Sequence, residues 1–511
     1  MATYYVSAKG SGNGLSERTP MAMESALNRT WYNNDRCLFR RGDIFYKDEI
    51  GFQGTITDGN TLYVGSYGTG EKPVLSGAKI ASVQSAWTLH SADVYRIDLS
   101  VASNFTGNTR TDTHGRNVGF IEDSNGNIYG NKRSSLEKIS QEMDFYCDDQ
   151  YLYVVCDQNP YTKYGNIILA INASILFSQS NYEIADLHIR HTGQHGIVNI
   201  FYFVNNVHIH DCIVEKIGGS YQYKDKSIRY GNGIEFYHNR KGSYARDILI
   251  ERCIIRKVYD GALAFETETG DFYNIITKNN IFIENQTDYG AFNNGKEVRN
   301  NVLEHCFNLH INTGRGWSAS VRPDKYWGAV FGQWGYSDGV KFGLNSHDNF
   351  YFNPSMIYWN WENWMSRKGF NADNNTIYLQ SNAMLVRHKV ERGSNDIIGV
   401  NNFSLMKFRF DIEKTTTVVT IANVSDYSDQ IDISKTSNDY WKIWNTFFAL
   451  VNPELLLTTP IESTIDKAGY ITSSNKVPRI FLLGMCFLLF IFVIIIRRME
   501  IAKKSIAKKS S

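Results

Sequence analysis

Proline is scarce in this chain, with eight among 511 residues, and the seven cysteines are an odd number with no C-x-x-C pair. Low proline alongside 14% aromatic residues argues against extended disorder and suits a β-rich protein. The cysteine spacing excludes a disulfide framework. Cys147 and Cys156 bracket a hairpin expected over residues 144–157 and are the one pair placed to close a bridge. Basic charge is missing from the body. Residues 497–511 hold six Lys or Arg and one Glu, a net +5 against +1 for the whole chain, so residues 1–496 stand near −4. That balance excludes nucleic acid as a partner. Long apolar runs are also absent except at residues 480–496 (IFLLGMCFLLFIFVIII), uncharged and at the short end of what spans a bilayer. The basic cluster after it predicts a single-pass membrane protein with a cytoplasmic tail and an extracytoplasmic large domain. Export calls for an N-terminal signal, yet residues 1–6 (MATYYV) already look like domain; the reading favours a leader missing ahead of them over a cytoplasmic domain with an unusual tail.

What is present is a repeat. Residues 206–214 (NVHIHDCIV), 247–255 (DILIERCII) and 274–282 (NIITKNNIF) match position by position, and a shorter copy begins at Asp186. Each runs on to a small-residue turn at Gly196, Gly233, Gly261 or Gly290. Alternating β-branched residues with Asn, Asp or Gly at corners predict a parallel β-solenoid, whose rungs bury their apolar faces only by stacking. Asn repeated at corners predicts side-chain amide ladders, and Cys212 and Cys253 fall at one position of successive rungs, as small core residues.

The organisation expected is an N-terminal cap and first rungs over 1–84, with a short helix over 19–28, and an inserted β-hairpin region over 85–165. Rungs follow over 166–436, the segment 411–436 reading as strand-like and polar. A C-terminal cap helix over 437–457 closes the far end. A stalk occupies 458–479, the transmembrane helix 480–496 and the basic cytoplasmic tail 497–511.

Residues 5–10 (YVSAKG), Gly14-Leu15-Ser16 with Pro20, Gly42-Asp43-Ile44-Phe45, residues 67–73 (YGTGEKP) and residues 192–197 (TGQHGI) together resemble the pectate-lyase-like superfamily of right-handed parallel β-helix proteins. The likeness covers roughly residues 3–410. It departs from the usual Pro-Gly-Asp in having Arg41 before Gly42. The fold it implies is all-β, a right-handed parallel β-helix with an N-terminal helical cap. Characterised members include polysaccharide lyases, glycoside hydrolases, uronate epimerases and surface fibres, so the resemblance does not settle an activity. Gln194-His195-Gly196 is only a fragment of the polygalacturonase Gly-His-Gly; the other motifs of that set, and the pectate-lyase calcium cluster, are absent.

Equivalent positions of stacked rungs form lines on the surface. The residues before the turn glycines are His195, Asn232, Asp260 and Tyr289, and shortly after the turns come Glu235, His238 and Glu266. Glycosidic cleavage needs two carboxyls flanking the bond. Asp260 and Glu235 are the acid and base candidates, Glu266 is the reserve, and His195 and Tyr289 bind or orient the sugar. Asn232 and His238 join as binding residues. A lyase would instead need a base and a cation beside a uronate carboxylate, and the insertion 218–230 offers Lys224, Arg229 and Tyr230. Six of ten tryptophans fall between 317 and 364, and Trp317 and Trp334 are candidates to stack on sugar faces. No rung carries a clustered metal-ligand set, and corner aspartates would admit at most a shallow Ca²⁺ site. The reading leans to a membrane-anchored glycoside hydrolase acting on an extracellular or cell-surface polysaccharide. A polysaccharide lyase, a non-catalytic glycan-binding surface protein and an accessory protein of polysaccharide assembly stay open.

Overall fold

The computed structural model describes residues 1–222, 225–267, 270–293, 301–322, 328–334, 342–359, 370–380, 384–389, 395–399, 417–421 and 423–451. Three sheets of ten, ten and nine strands make up the body, and all but one of their pairings are parallel. The chain visits them in turn. Phe203–His210 lies in the first sheet, Ile213–Ile217 in the second and Ile234–His238 in the third, and the next coil repeats this with Tyr244–Glu251, Ile254–Val258 and Gly261–Thr267. This is the path of a parallel β-helix.

Alternation decides what goes inside. Val207, Ile248, Ile275, Leu303 and Leu344 are in register along the first sheet. Val214, Ile255, Phe282, His310, Tyr351 and Ile377 are in register along the second. Both columns are buried, and each aliphatic member contributes about 1.5–3 kcal/mol of apolar burial. The bend from first to second sheet is made by one left-handed residue per coil, with φ of 53° at Asp211, 51° at Arg252 and 54° at Asn279.

At that corner an amide ladder runs through the interior. The Nδ2 groups of Asn280, Asn308 and Asn349 donate to the Oδ1 atoms of Asn308, Asn349 and Asn375 at 3.1, 3.0 and 3.1 Å. Each Nδ2 also donates to a backbone carbonyl, of Ile250, Thr277 and His305 in turn. Cys253 occupies the preceding position, its N–H donating to Asn280 Oδ1, and Cys212 lies buried one coil earlier.

Between the strands Val74–Ser76 and Leu176–Phe177 the chain leaves the coil and forms two four-stranded antiparallel sheets. The coil then resumes as though uninterrupted, with Tyr182–Ala185 pairing beside Leu62–Tyr67. Cys147 and Cys156 are buried free thiols in the inserted part, so no bridge joins them. The N-terminal helix is shorter than the sequence suggested, Met23–Leu27, because Met21 bridges to Val6 and donates its N–H to the Tyr5 carbonyl.

The C-terminal part departs from expectation in two ways. Part of the polar segment read as strand-like is the helix Ser428–Thr436, whose Ile431 and Ser434 lie one turn apart and are both buried. The helix Tyr440–Val451 covers a flank of the coil where the sequence suggested a plug for its end. Its Ile443, Trp444, Phe447 and Phe448 pack on outward residues of the second sheet, among them Ile213, Ile254, Ile281 and Leu309. The apolar run 480–496, the stalk and the tail lie outside the described residues; among those described, no helix is long and apolar enough to cross a membrane.

Candidate active site

The outer face of the third sheet forms the floor of a cleft of about 850 Å³. In the strand Ile234–His238, Ile234 and Phe236 are buried in the core, so Glu235 and Tyr237 face outward. In the adjoining strand Gly261–Thr267, Leu263 and Phe265 point in, and Ala264 and Glu266 point out. Register places Glu235 beside Ala264, and Tyr237 beside Glu266. Two carboxyl-bearing residues on adjacent strands, one outward step apart, have Cα atoms about 8 Å from each other. The row through Glu235 continues as Ala264, Gly290 and Gly332, so the floor beyond it is lined by small residues.

Neighbouring turns hold these carboxyls. Asn232 Oδ1 accepts the Gly261 N–H at 3.0 Å, and its Nδ2 donates to Glu266 Oε1 at 3.2 Å. His195, from the preceding coil, has Nδ1 2.8 Å from Glu235 Oε2 and 3.2 Å from the Asn232 amide nitrogen. One ring nitrogen cannot both donate to the carboxylate and accept from the amide; the shorter, charge-assisted contact to Glu235 is the stronger. Asp260 is matched by Arg322, whose NH1 donates to Asp260 Oδ1 at 3.0 Å and to the Tyr259 carbonyl at 2.9 Å.

The environment separates the two outward glutamates. Removal from water, and then the negative charges of Glu235 and Asp260, push the Glu266 carboxyl well above its usual range, against the opposing bond from Asn232. The Glu266 carboxyl therefore holds its proton more tightly than an ordinary glutamate. His238, packed 4.6 Å from the Phe272 ring, is held neutral; burial takes its pKa down to about 4 despite the nearby charge of Asp271. Its Nε2 is buried without a hydrogen-bond partner.

The cleft gathers eight residues singled out in the sequence: His195, Asn232, Glu235, His238, Asp260, Glu266, Arg229 and Tyr230. Arg229 NH2 reaches the Lys132 carbonyl at 3.3 Å, and the Tyr230 ring meets His195 edge-on at 5.4 Å. Two candidates are corrected. Tyr289 is fully buried against Phe265, His305 and Phe331 and cannot touch a ligand in the cleft. Its register partner is Leu263 and that of Gly290 is Ala264, three residues beyond Gly261, so aligning the turns on their glycines had slipped this strand by three, an odd number that turns the side chain inward. Trp317 is also core. It packs edge-on against Phe120 at 5.3 Å and Tyr129 at 6.2 Å, docking the inserted sheets onto the body. Lys224 and the side chain of Trp334 lie outside the described residues. Sequence reading missed Arg322, which no motif marks, and Tyr237, which alternation from Glu235 would have given. It also missed the exposed apolar rim of Ile200, Tyr202 and Ile228.

No protein-family model and no curated protein matches the chain. Solved structures do. The GH136 lacto-N-biosidase from Eubacterium ramulus is similar at 11% identity and a TM-score of 0.36, over 82% of this chain and 68% of that one. The complex of XylC with xylose is similar at 10% identity and a TM-score of 0.35, over 81% and 82%. A structure described as a glycoside hydrolase aligns at 8% identity and a TM-score of 0.36, over 76% and 94%.

Proposed function

We propose that this chain is a carbohydrate-active enzyme, a glycoside hydrolase working in the cleft on the third sheet. One observation carries the reading: Glu235 and Glu266 project into one cleft from adjacent strands, and burial with the charges of Glu235 and Asp260 raises the Glu266 carboxyl well above its usual range, as suits an acid. Glu266 is the general acid that gives its proton to the leaving oxygen. Glu235, oriented by His195, is its partner on the opposite side of the bond. It either activates a water or attacks the anomeric carbon, depending on whether the carboxyls stand about 6.5–9.5 Å or about 5–5.5 Å apart around the bound sugar. Asp260, matched by Arg322, adds to the burial and the Glu235 charge that raise Glu266 and does not itself supply the proton. The assignment thus exchanges the roles first given to Asp260 and Glu266.

Tyr202, Tyr230 and Tyr237, with Ile200 and Ile228, offer faces to the C–H surfaces of a sugar, and Gly231, Gly261 and Ala264 leave room for it on the floor. Elimination on a uronate fits less well, since Glu235, Asp260 and Glu266 would all face the substrate's own carboxylate. The sequence of residues 480–511 supports tethering of this enzyme to a membrane.

Incubating the protein with a panel of neutral and acidic glycans, while following reducing ends and the absorbance of unsaturated uronates, tests the assignment. Reducing ends without unsaturated product, lost in Glu266→Gln and Glu235→Gln, is the expected result. Unsaturated uronates would replace hydrolysis by elimination, and binding without turnover would leave a glycan-binding protein.

A further inference from the structure

The outer face of the first sheet gathers titratable groups that the cleft on the third sheet does not use. His208 and His210 are alternate residues of the strand Phe203–His210, so both point outward, and their rings stack at 4.2 Å. The preceding coil sets Glu183 in register with His208, and the following coil sets Glu251 in register with His210. Glu183, His208 and His210 each present one ligating atom, and the three atoms lie within 4.8 Å of one another. Glu183 Oε1 is 3.2 Å from His210 Nε2, and Glu251 Oε1 is 3.2 Å from His208 Nε2. Ligands bound about 2.0–2.1 Å from a tetrahedral zinc are separated by about 3.3 Å, so both pairs already have the length of a coordination edge.

Two further features point to a cation. His210 Nδ1 lies 2.6 Å from Asp211 Oδ2, and Arg252 holds Asp211 through Nε and NH2, each at 3.0 Å. A carboxylate on one ring nitrogen fixes the tautomer and turns the other towards a ligand, as outer carboxylates do for metal-bound histidines. Glu251 has a side chain only 1% exposed, and its Oε2 accepts no hydrogen bond, with Lys278 Nζ standing 3.6 Å away. A buried carboxylate oxygen lacking a donor is costly unless a cation satisfies it.

We infer that Glu183, His208 and His210, with Glu251 at their edge, form a binding site for a divalent first-row transition metal of the zinc type. Two imidazoles among carboxylates suit such an ion, whereas Ca²⁺ and Mg²⁺ favour oxygen-only sets. The ion ties three successive coils together and is structural, because the cleft belongs to another sheet. Arg252, whose NH1 is 2.7 Å from Glu251 Oε1, competes for the same carboxylate and moderates the affinity. No single rung reveals the set, since its ligands come from different coils.

Calorimetric titration of the chelator-stripped full chain with zinc chloride tests the site. The expected result is one saturable site per chain, lost in the His208→Ala/His210→Ala double variant. Asp211→Asn, which leaves every ligand in place, should weaken binding about 10- to 100-fold. Zinc should raise the thermal midpoint of the wild type and leave that of the double variant unchanged. His347→Ala, which breaks the other outward group of Glu304, Cys306 and His347, should leave the titration as it was. Absence of saturable zinc binding by the wild type overturns the inference, as does binding that survives the double substitution in a folded protein. If the double variant does not fold, Glu183→Gln decides: weaker binding supports the site and an unchanged Kd overturns it.

Discussion

Glu266 ties the chemistry to a measurable property of the folded chain. A carboxyl whose pKa is raised on folding stabilises the native state fully below the pKa of the unfolded chain, and this contribution is lost as pH rises through the folded value. The wild type should therefore lose stability as pH climbs above the ordinary carboxyl range of about 4.3. Glu266→Gln keeps an acceptor for Asn232 and cannot ionise, so its melting temperature should overtake that of the wild type towards neutral pH. Thermal melts of both proteins across that range check the sign. The same substitution should lower kcat by about 10²–10⁴-fold on a substrate whose leaving group needs a proton. It should have much less effect on an activated aryl glycoside, which leaves unaided. Glu235→Gln should be slow on both. His195→Ala removes the 2.8 Å contact that orients Glu235 and should depress kcat more than it raises KM. Carboxyls near turns were legible in the sequence as candidates; their ranking was not. Asp260 stood ahead because it precedes a turn glycine, but its partner Arg322 is 62 residues away, and only the coil brings them together.

At the scale of elements, the ladder and the flank helix are where sequence and fold meet most directly. Asn280, Asn308, Asn349 and Asn375 were readable as a corner series because one residue type recurs at one phase of the repeat. Asn308→Leu would keep the volume and remove both its donor and its acceptor, leaving the Asn280 N–H without its acceptor and taking one bond each from the Asn280 side chain, the Asn349 Oδ1 and the Thr277 carbonyl. Each buried orphan costs about 1–3 kcal/mol, so a marked fall in the denaturation midpoint is expected, measurable by fluorescence or circular dichroism. The equivalent position in an earlier coil is Cys253, where a thiol already serves, so Cys253→Ala should be much milder. The helix Tyr440–Val451 was legible as amphipathic, yet its location was not. Its apolar stripe matches any apolar surface, and the choice of the second sheet rests on Ile213, Ile254, Ile281 and Leu309, which face outward there. Phe447→Ala should cost about 3–5 kcal/mol and release the helix to proteolysis before the coil unfolds.

For the molecule as a whole, periodicity conveyed the coil because its apolar columns are built from residues that repeat in the sequence itself. Register was less visible. In the third sheet the three-residue offset that buries Tyr289 arises because the turn glycines Gly261 and Gly290 are not register partners; Gly290 pairs with Ala264. The tethering proposed for this chain rests on a sequence pattern of another kind. Residues 480–496 are apolar without interruption and are followed within thirteen positions by six Lys or Arg, a combination with no use in a core helix. The apolar outer flank of the second sheet is already covered by the helices Ser428–Thr436 and Tyr440–Val451, so that flank does not call for the segment. Full-length protein should therefore sediment with membranes and require detergent for release, whereas a chain ending at residue 461, the limit of the first compact unit, should stay in the aqueous phase. That shorter chain should also keep the full glycosidase activity of the cleft, since every residue lining it precedes 267. Fractionation and a reducing-end assay on the two proteins settle both halves: an aqueous full-length chain would remove the anchor, and a truncated chain that folds but has lost turnover would mean that the cleft needs more of the chain than its lining.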